Sequence, residues 1–364
     1  MGDATDFLVE DPEADELDRS YENRACDEIC QLIDQEHAVV WHEIEARLAE
    51  RSQNGINPHH LSNARRRLLE QGMIAQVTKI TKGGRAITVY GLQDRRRRET
   101  AFDRSARRKR LLETRYLSWA GGSAETNAIG SAGELVTHAS LVQARHEGAG
   151  YQILSEGREV RQLFGVNIPG GPIDNAAFLI GANATNPILV TVMIEVKNLR
   201  PWLYPSAGEI YQLLHKAAQV QRQQPNQHIM PVLIARQVHY LTRRMAKHLG
   251  FFTITFEKGV QPIRNLEFVD PRFVEEVRNE LGYNLLLTNG EALPFVQRAF
   301  RYTVPKQAAE TANRWALMGP ALEHHFARLR NSSVRGEPRE TALNSLYRDA
   351  VQIIRPARPW RRAQ

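Results

Sequence analysis

Hydrophobic positions recur at helical spacing near the start and end of the chain, and at strand spacing in its middle. Cys26, Ile29, Cys30 and Ile33 form one apolar stripe, and Ile44 and Leu48 a second, in a helix from about Trp41 to Arg51. NGINPHHLSNARRRLLEQGMI then supplies a turn, Asn57 as a cap and Pro58 at the first helical position. Rotating this third helix by about 100° per residue puts Leu61, Ala64 and Leu68 on one side, and His59, Asn63, Arg66 and Arg67 on the other. Runs from Ala75 to Thr81 and from Ala86 to Leu92 flank KGGR and predict a hairpin reversing at Gly83 and Gly84.

The middle of the chain alternates between the two periods. SAGELVTHASLVQARHEG predicts a helix and YQILSEGREVRQLFG a strand. GGPIDNAAFLI and ILVTVMIEVK predict two strands around the turn GANATNP. SAGEIYQLLHKAAQVQR (helix), IMPVLIAR (strand), LTRRMAKHLG (helix) and FFTITFE (strand) follow. Beyond Arg264, DPRFVEEVRNELG and RETALNSLYRDAVQII are amphipathic and carry no recurrent chemical motif; His324 and His325 are read there as surface or core residues. The organisation expected is an acidic disordered tail (1–19), a helical unit with a hairpin (20–92), a basic linker able to form a helix (93–126), an α/β domain (127–263) and a helical C-terminal region (264–364). That last region is expected to pack on the α/β domain or to meet a second copy or another protein partner.

Composition bounds the setting. With 42% hydrophobic and 24% charged residues, the 364-residue chain has enough apolar material for folded cores. No apolar run approaches the roughly 20 residues of a membrane span, and the acidic N-terminus is unlike a secretory signal. Two cysteines make no disulfide framework, and Cys26 and Cys30 have no partner cluster for zinc, so a cytoplasmic protein is expected.

Charge changes the picture more. The net charge is +7, and QDRRRRETAFDRSARRKR, residues 93–110, holds nine Arg or Lys against three acids. Lying between two segments that point to nucleic acid, this run is read as phosphate-binding. The exposed His59, Asn63, Arg66 and Arg67 suit a groove of duplex DNA, and Lys79, Lys82 and Arg85 would charge the tip of the hairpin.

The chemistry is expected at the end of ILVTVMIEVKNLRPW. Residues two apart on a strand share a face, so Glu195 and Lys197 point the same way. In an antiparallel hairpin, Asp174 and Glu195 are centred between Ala184 and Thr185, inside the turn, and should face each other. Two opposed carboxylates repel unless a cation lies between them, and hard oxygen ligands suit Mg²⁺ or Mn²⁺. Lys197 on the same face can position a water and offset charge on a phosphate.

Asp174, some twenty residues of hairpin and then Glu195-Val196-Lys197, within this order of elements, resemble the PD-(D/E)xK, restriction-endonuclease-like nuclease superfamily. The 20–92 unit resembles a winged helix-turn-helix DNA-binding domain. The literal Pro-Asp of the motif is displaced, with Pro172 and Ile173 before Asp174. The resemblance implies an α/β fold with a mixed central sheet flanked by helices. It also implies a metal held by Asp174, Glu195, the Val196 carbonyl and Glu134, with Lys197 orienting the attacking water. Gln212 or Gln219, Gln212 first, matches a glutamine on the following helix. The implied function is a Mg-dependent DNA endonuclease acting on duplex DNA, in restriction, defence, recombination or repair. The rival is a DNA-binding regulator whose nuclease-like domain is catalytically idle.

Overall fold

The Asn57–Pro58 signal starts a helix where expected: the Asn57 side chain accepts from the His59 backbone N–H at 3.1 Å, and the helix runs Pro58–Glu70. The structure is a computed structural model and describes residues 12–51, 53–94, 98–121, 126–154, 159–181 and 188–354. It divides into two units, residues 1–132 with 258–289, and residues 133–257 with 290–364.

The first unit begins with α1 (Pro12–Glu36), β1 (Val39–Val40) and α2 (Trp41–Ile44), which widens into a π turn over Glu45–Ala49. Then come α3 (Pro58–Glu70), β2 (Ile74–Ile80) and β3 (Ala86–Leu92). The three strands form one antiparallel sheet in the order β1-β3-β2. Ala25, Ile29, Ile33, Ile44, Leu48, Leu61, Ala64 and Leu68 interlock as its core. Cys26 and Cys30 pack beside them as free thiols, their pKa values raised chiefly by burial. The acidic segment is not all tail, since α1 begins at Pro12; residues 1–11 lie outside the described residues.

The expected linker is also revised. Residues Glu99–Trp119 form α4, whose Phe102, Ala106, Leu112, Tyr116 and Trp119 are buried in a second core of the same unit. An amphipathic helix with that much apolar surface packs rather than links. Two of its basic residues are used internally, while Arg104 and Arg107 are exposed. Lys109, 3% exposed, bonds Glu43 at 2.5 Å and Glu36 at 2.9 Å, and Arg108 meets Glu276 and Glu280 at 2.9 Å. Arg98 pairs with Asp34. Arg95, Arg96 and Arg97 lie outside the described residues.

In the second unit, α5 (Ala128–His146), which starts in the first, leads to β4 (Tyr151–Ile153), a small hairpin of β5 (Gln162–Leu163) and β6 (Val166–Asn167), then β7 (Asn175–Gly181) and β8 (Ile188–Lys197). Where a single strand was expected over YQILSEGREVRQLFG, the described residues hold two short ones, β4 and β5. Next are α6 (Gly208–Gln223), β9 (His228–Ala235), α7 (Tyr240–Leu249) and β10 (Phe252–Thr255). The sheet is mixed, in the order β10-β9-β8-β7-β4: β8, β9 and β10 are parallel, and β7 runs against both β8 and β4.

The chain then contributes β11 (Gln261–Arg264), α8 (Pro271–Leu281) and β12 (Leu285–Thr288) to the first unit, β11 and β12 pairing in parallel. This corrects the expectation of one helical region after residue 264. The remainder, α9 (Pro294–Arg298), α10 (Val304–Leu329) and α11 (Glu337–Ile354), packs into the second unit. Trp315, Met318, Leu322 and Phe326 of α10 join Leu213, Leu214 and Ala217 of α6 on one side of the sheet. On the other side, Val136 and Leu141 of α5 and Val304 and Ala308 of α10 meet Val192, Ile194 and Val196. No helix among the described residues is long and apolar enough to cross a membrane.

Candidate active site and nucleic-acid face

Every pair of the β7–β8 ladder, from Asn175↔Ile194 to Gly181↔Ile188, is centred on the 184–185 peptide. Asp174, one residue before the first pair, therefore stands opposite Glu195 as expected; the turn itself, residues 182–187, lies outside the described residues. Met193 faces the core that holds α6, whereas Val192, Ile194 and Val196 face the core that holds α5. Glu195 and Lys197 belong to the Met193 face by strand alternation.

Asp174 does not continue the ladder with its backbone alone: its Oδ2 accepts from the Val196 N–H at 2.6 Å. Glu195 is 4% exposed and has a lysine on each oxygen. Lys197 Nζ lies 2.7 Å from Oε1, and Lys216 Nζ 3.1 Å from Oε2. Lys216 comes from α6, is 8% exposed, and also donates to the Pro172 carbonyl at 2.5 Å.

α5 reaches the site through Gly133. A Cβ there would lie 2.7 Å from Asn198 Cβ and 3.2 Å from Val196 Cγ1, so only glycine lets the helix approach the end of β8 this closely. Glu134 follows it directly, with an exposed side chain. One turn on, His138 Nδ1 lies 2.8 Å from Oδ1 of Asn175, the neighbour of Asp174, tying α5 to β7.

Asp174, Glu134, Glu195 and Lys197 act on one another electrostatically. Burial, then the charges of Glu195 and Glu134, push the Asp174 carboxyl up to about 7 against the Val196 hydrogen bond and Lys197. Partial desolvation raises Glu134, with Glu159 and Glu195 adding to it and Lys197 opposing. Burial lowers Lys197, but Glu195, Asp174 and Glu209 more than reverse this, leaving it above the usual lysine value. At neutral pH it is an ammonium, suited to holding an anion.

The donor set fits a hard divalent cation: carboxylate oxygens from the residue before β7, from β8 and from a helix, on a partly solvated rim. Among the described residues, however, the one group of three His, Cys, Asp or Glu with ligand atoms all within 4.8 Å is His324, His325 and Asp349. Glu134, Asp174 and Glu195 stand further open than that. Buried His325 bonds Asp349 at 2.8 Å, joining α10 to α11. Of the two expected glutamines, Gln212 is exposed and Gln219 half-buried; the α6 side chain bonded to Glu195 is Lys216. Lys216, Glu159 and Glu209 are therefore site residues that the sequence analysis missed. Arg200, on the loop after β8, is 3% exposed.

In the first unit, His59, Arg66 and Arg67 are exposed on α3, and Lys79, Lys82 and Arg85 on the β2–β3 hairpin. Asn63 links the helix face: its Nδ2 lies 3.3 Å from His59 Nε2, and its Oδ1 accepts from Arg66 at 3.3 Å. Arg67 donates to Asn23 at 2.8 Å. Arg65 points elsewhere, lying 4.2 Å from the Trp41 ring centre.

No protein-family model matches the chain, and no curated protein matches it in sequence. Among solved structures, it is similar to "MspJI Restriction Endonuclease in Complex with 27-mer Oligonucleotide", at 12% identity and a TM-score of 0.19. That match covers 74% of this chain and 60% of the other.

Proposed function

We propose that this protein is a metal-dependent DNA endonuclease of PD-(D/E)xK type, with a winged-helix domain in its first unit that holds duplex DNA. The observation that carries this reading is the opposition of Asp174 and Glu195 across the β7–β8 ladder, with Lys197 bonded to Glu195 on the same face. Asp174, Glu195, Glu134 and the Val196 carbonyl would hold Mg²⁺ or Mn²⁺. Such an ion, when bound, supplies Lewis-acid polarisation of a phosphate oxygen and lowers the pKa of water.

The chain's own groups do the rest. The Lys197 ammonium holds the attacking water near the phosphorus and stabilises the charge that builds as the new P–O bond forms and the water gives up a proton to solvent. The bond to the leaving sugar oxygen then breaks, and that oxygen takes up a proton from solvent. Glu134, exposed on α5, turns inward to complete the carboxylate set. The exposed His59, Arg66 and Arg67, with half-buried Asn63, would enter a groove, with Lys79, Lys82 and Arg85 on the backbone beside it.

One observation favours the rival, a DNA-binding regulator with an idle domain: two lysines already neutralise Glu195 without a metal. Incubating the protein with supercoiled, linear, branched and single-stranded DNA, with and without Mg²⁺, separates the two. Mg²⁺-dependent cleavage supports the nuclease; tight binding with no cleavage of any substrate supports the regulator.

A further inference from the structure

Lys216 has no part in the reaction as described, yet it is the more deeply held of the two lysines on Glu195. Its ammonium is fixed from two sides, by the Pro172 carbonyl at 2.5 Å and Glu195 Oε2 at 3.1 Å. Its stem is buried on α6, with Cγ 3.7 Å from where a Cβ on Gly170 would lie. Pulling it away would strip a charge from its partners and open the core. Lys197 is placed differently: its side chain is 19% exposed against 10% for Lys216. The two oxygens of Glu195 are therefore unequal. Oε1 meets a lysine at the rim that can step aside, and Oε2 meets one anchored in the interior.

Charge points the same way. Asp174, Glu195 and Glu134 bring three negative charges, and Lys197 and Lys216 two positive ones. Glu159 and Glu209 add negative charge beside them, so the cluster attracts a divalent cation. A second would crowd beside Lys216 in a half-buried space, where like charges repel strongly.

Resting on the nuclease reading, we infer that Lys216 is a built-in second cation. It occupies the place beside Glu195 Oε2 that another metal ion would take, so that each chain binds a single divalent ion. It is a positioning residue that holds Glu195 with Oε1 turned toward that ion.

The test is Mn²⁺ binding to the full chain without DNA, counted from the loss of the free-ion EPR signal. Asp174→Ala is titrated alongside, so that ions held elsewhere, including at His324, His325 and Asp349, are subtracted. The wild type is expected to bind one Mn²⁺ through this site. Lys216→Met keeps the apolar stem but vacates the position, and should bind two; Lys216→Arg keeps the charge and should remain at one. Two Mn²⁺ on the wild type, or one or none on a folded Lys216→Met protein, overturns the inference. If Lys216→Met does not fold, the wild-type and Lys216→Arg counts decide. A wild type that binds no Mn²⁺ through Asp174 fails the nuclease reading itself.

Discussion

At the scale of single residues, the proposed function gives Lys197 and Asp174 separable roles. Lys197→Ala is expected to slow cleavage roughly a hundred- to thousandfold, or about 3–4 kcal/mol, with DNA binding nearly unchanged. On the proposed reading its ammonium acts mainly on charge that develops in the transition state. Single-turnover rates and binding isotherms on the same duplex check this; cleavage at the wild-type rate would return Glu195 and Lys197 to a plain ion pair. Asp174 makes the site sensitive to pH. With its carboxyl pushed up to about 7 by burial and by Glu195, a proton would compete with the proposed metal below that pH. Mn²⁺ affinity should fall by up to about tenfold per pH unit below 7 and level off above it. The stability of the metal-free protein runs the other way. A raised folded-state value stabilises fully below the unfolded value of about 3.9, and this contribution is lost as pH rises through about 7. Melting temperatures of the wild type and Asp174→Asn from pH 4 to 8 should therefore differ in slope. Parallel curves would show that Asp174 titrates normally.

At the scale of elements, the β7–β8 hairpin was legible in the sequence. The Gly-Asn-Pro turn fixes its centre, and the apolar alternation fixes its faces. The Asn57–Pro58 start of α3 was legible for a similar reason, because the cap and the proline act within one turn. Lys216 was not: LLHKAA reads as a buried helical stripe, and only the packed fold brings that lysine to Glu195. Nor was the βαβ excursion of β11, α8 and β12, since nothing local in a four-residue strand says which unit it will join. The basic run misled because its charge hid the apolar stripe of α4. Its Lys109 now gives a prediction. Removing it by Lys109→Met leaves Glu43, 0% exposed and already raised to about 7 chiefly by burial, without its 2.5 Å partner. The first unit should lose about 3–5 kcal/mol in denaturant unfolding. A loss under about 1 kcal/mol, the range of an exposed pair, would mean that Arg47, 3.1 Å from Glu43, suffices alone.

At the scale of the whole molecule, binding and cutting are assigned to different units and should come apart. Arg66→Ala with Arg67→Ala should weaken duplex binding and flatten its salt dependence, by up to about 0.9 in the log–log slope for each phosphate left without its arginine. Metal-dependent cleavage at high protein concentration should persist. An unchanged slope would assign the α3 face to another partner. The central claim is tested most directly by incubating supercoiled plasmid with wild type and Asp174→Ala, each with Mg²⁺ and with EDTA. The account predicts nicked or linear DNA from the wild type with Mg²⁺ alone, and none from Asp174→Ala. Cleavage in EDTA, or equal cleavage by the variant, would contradict it.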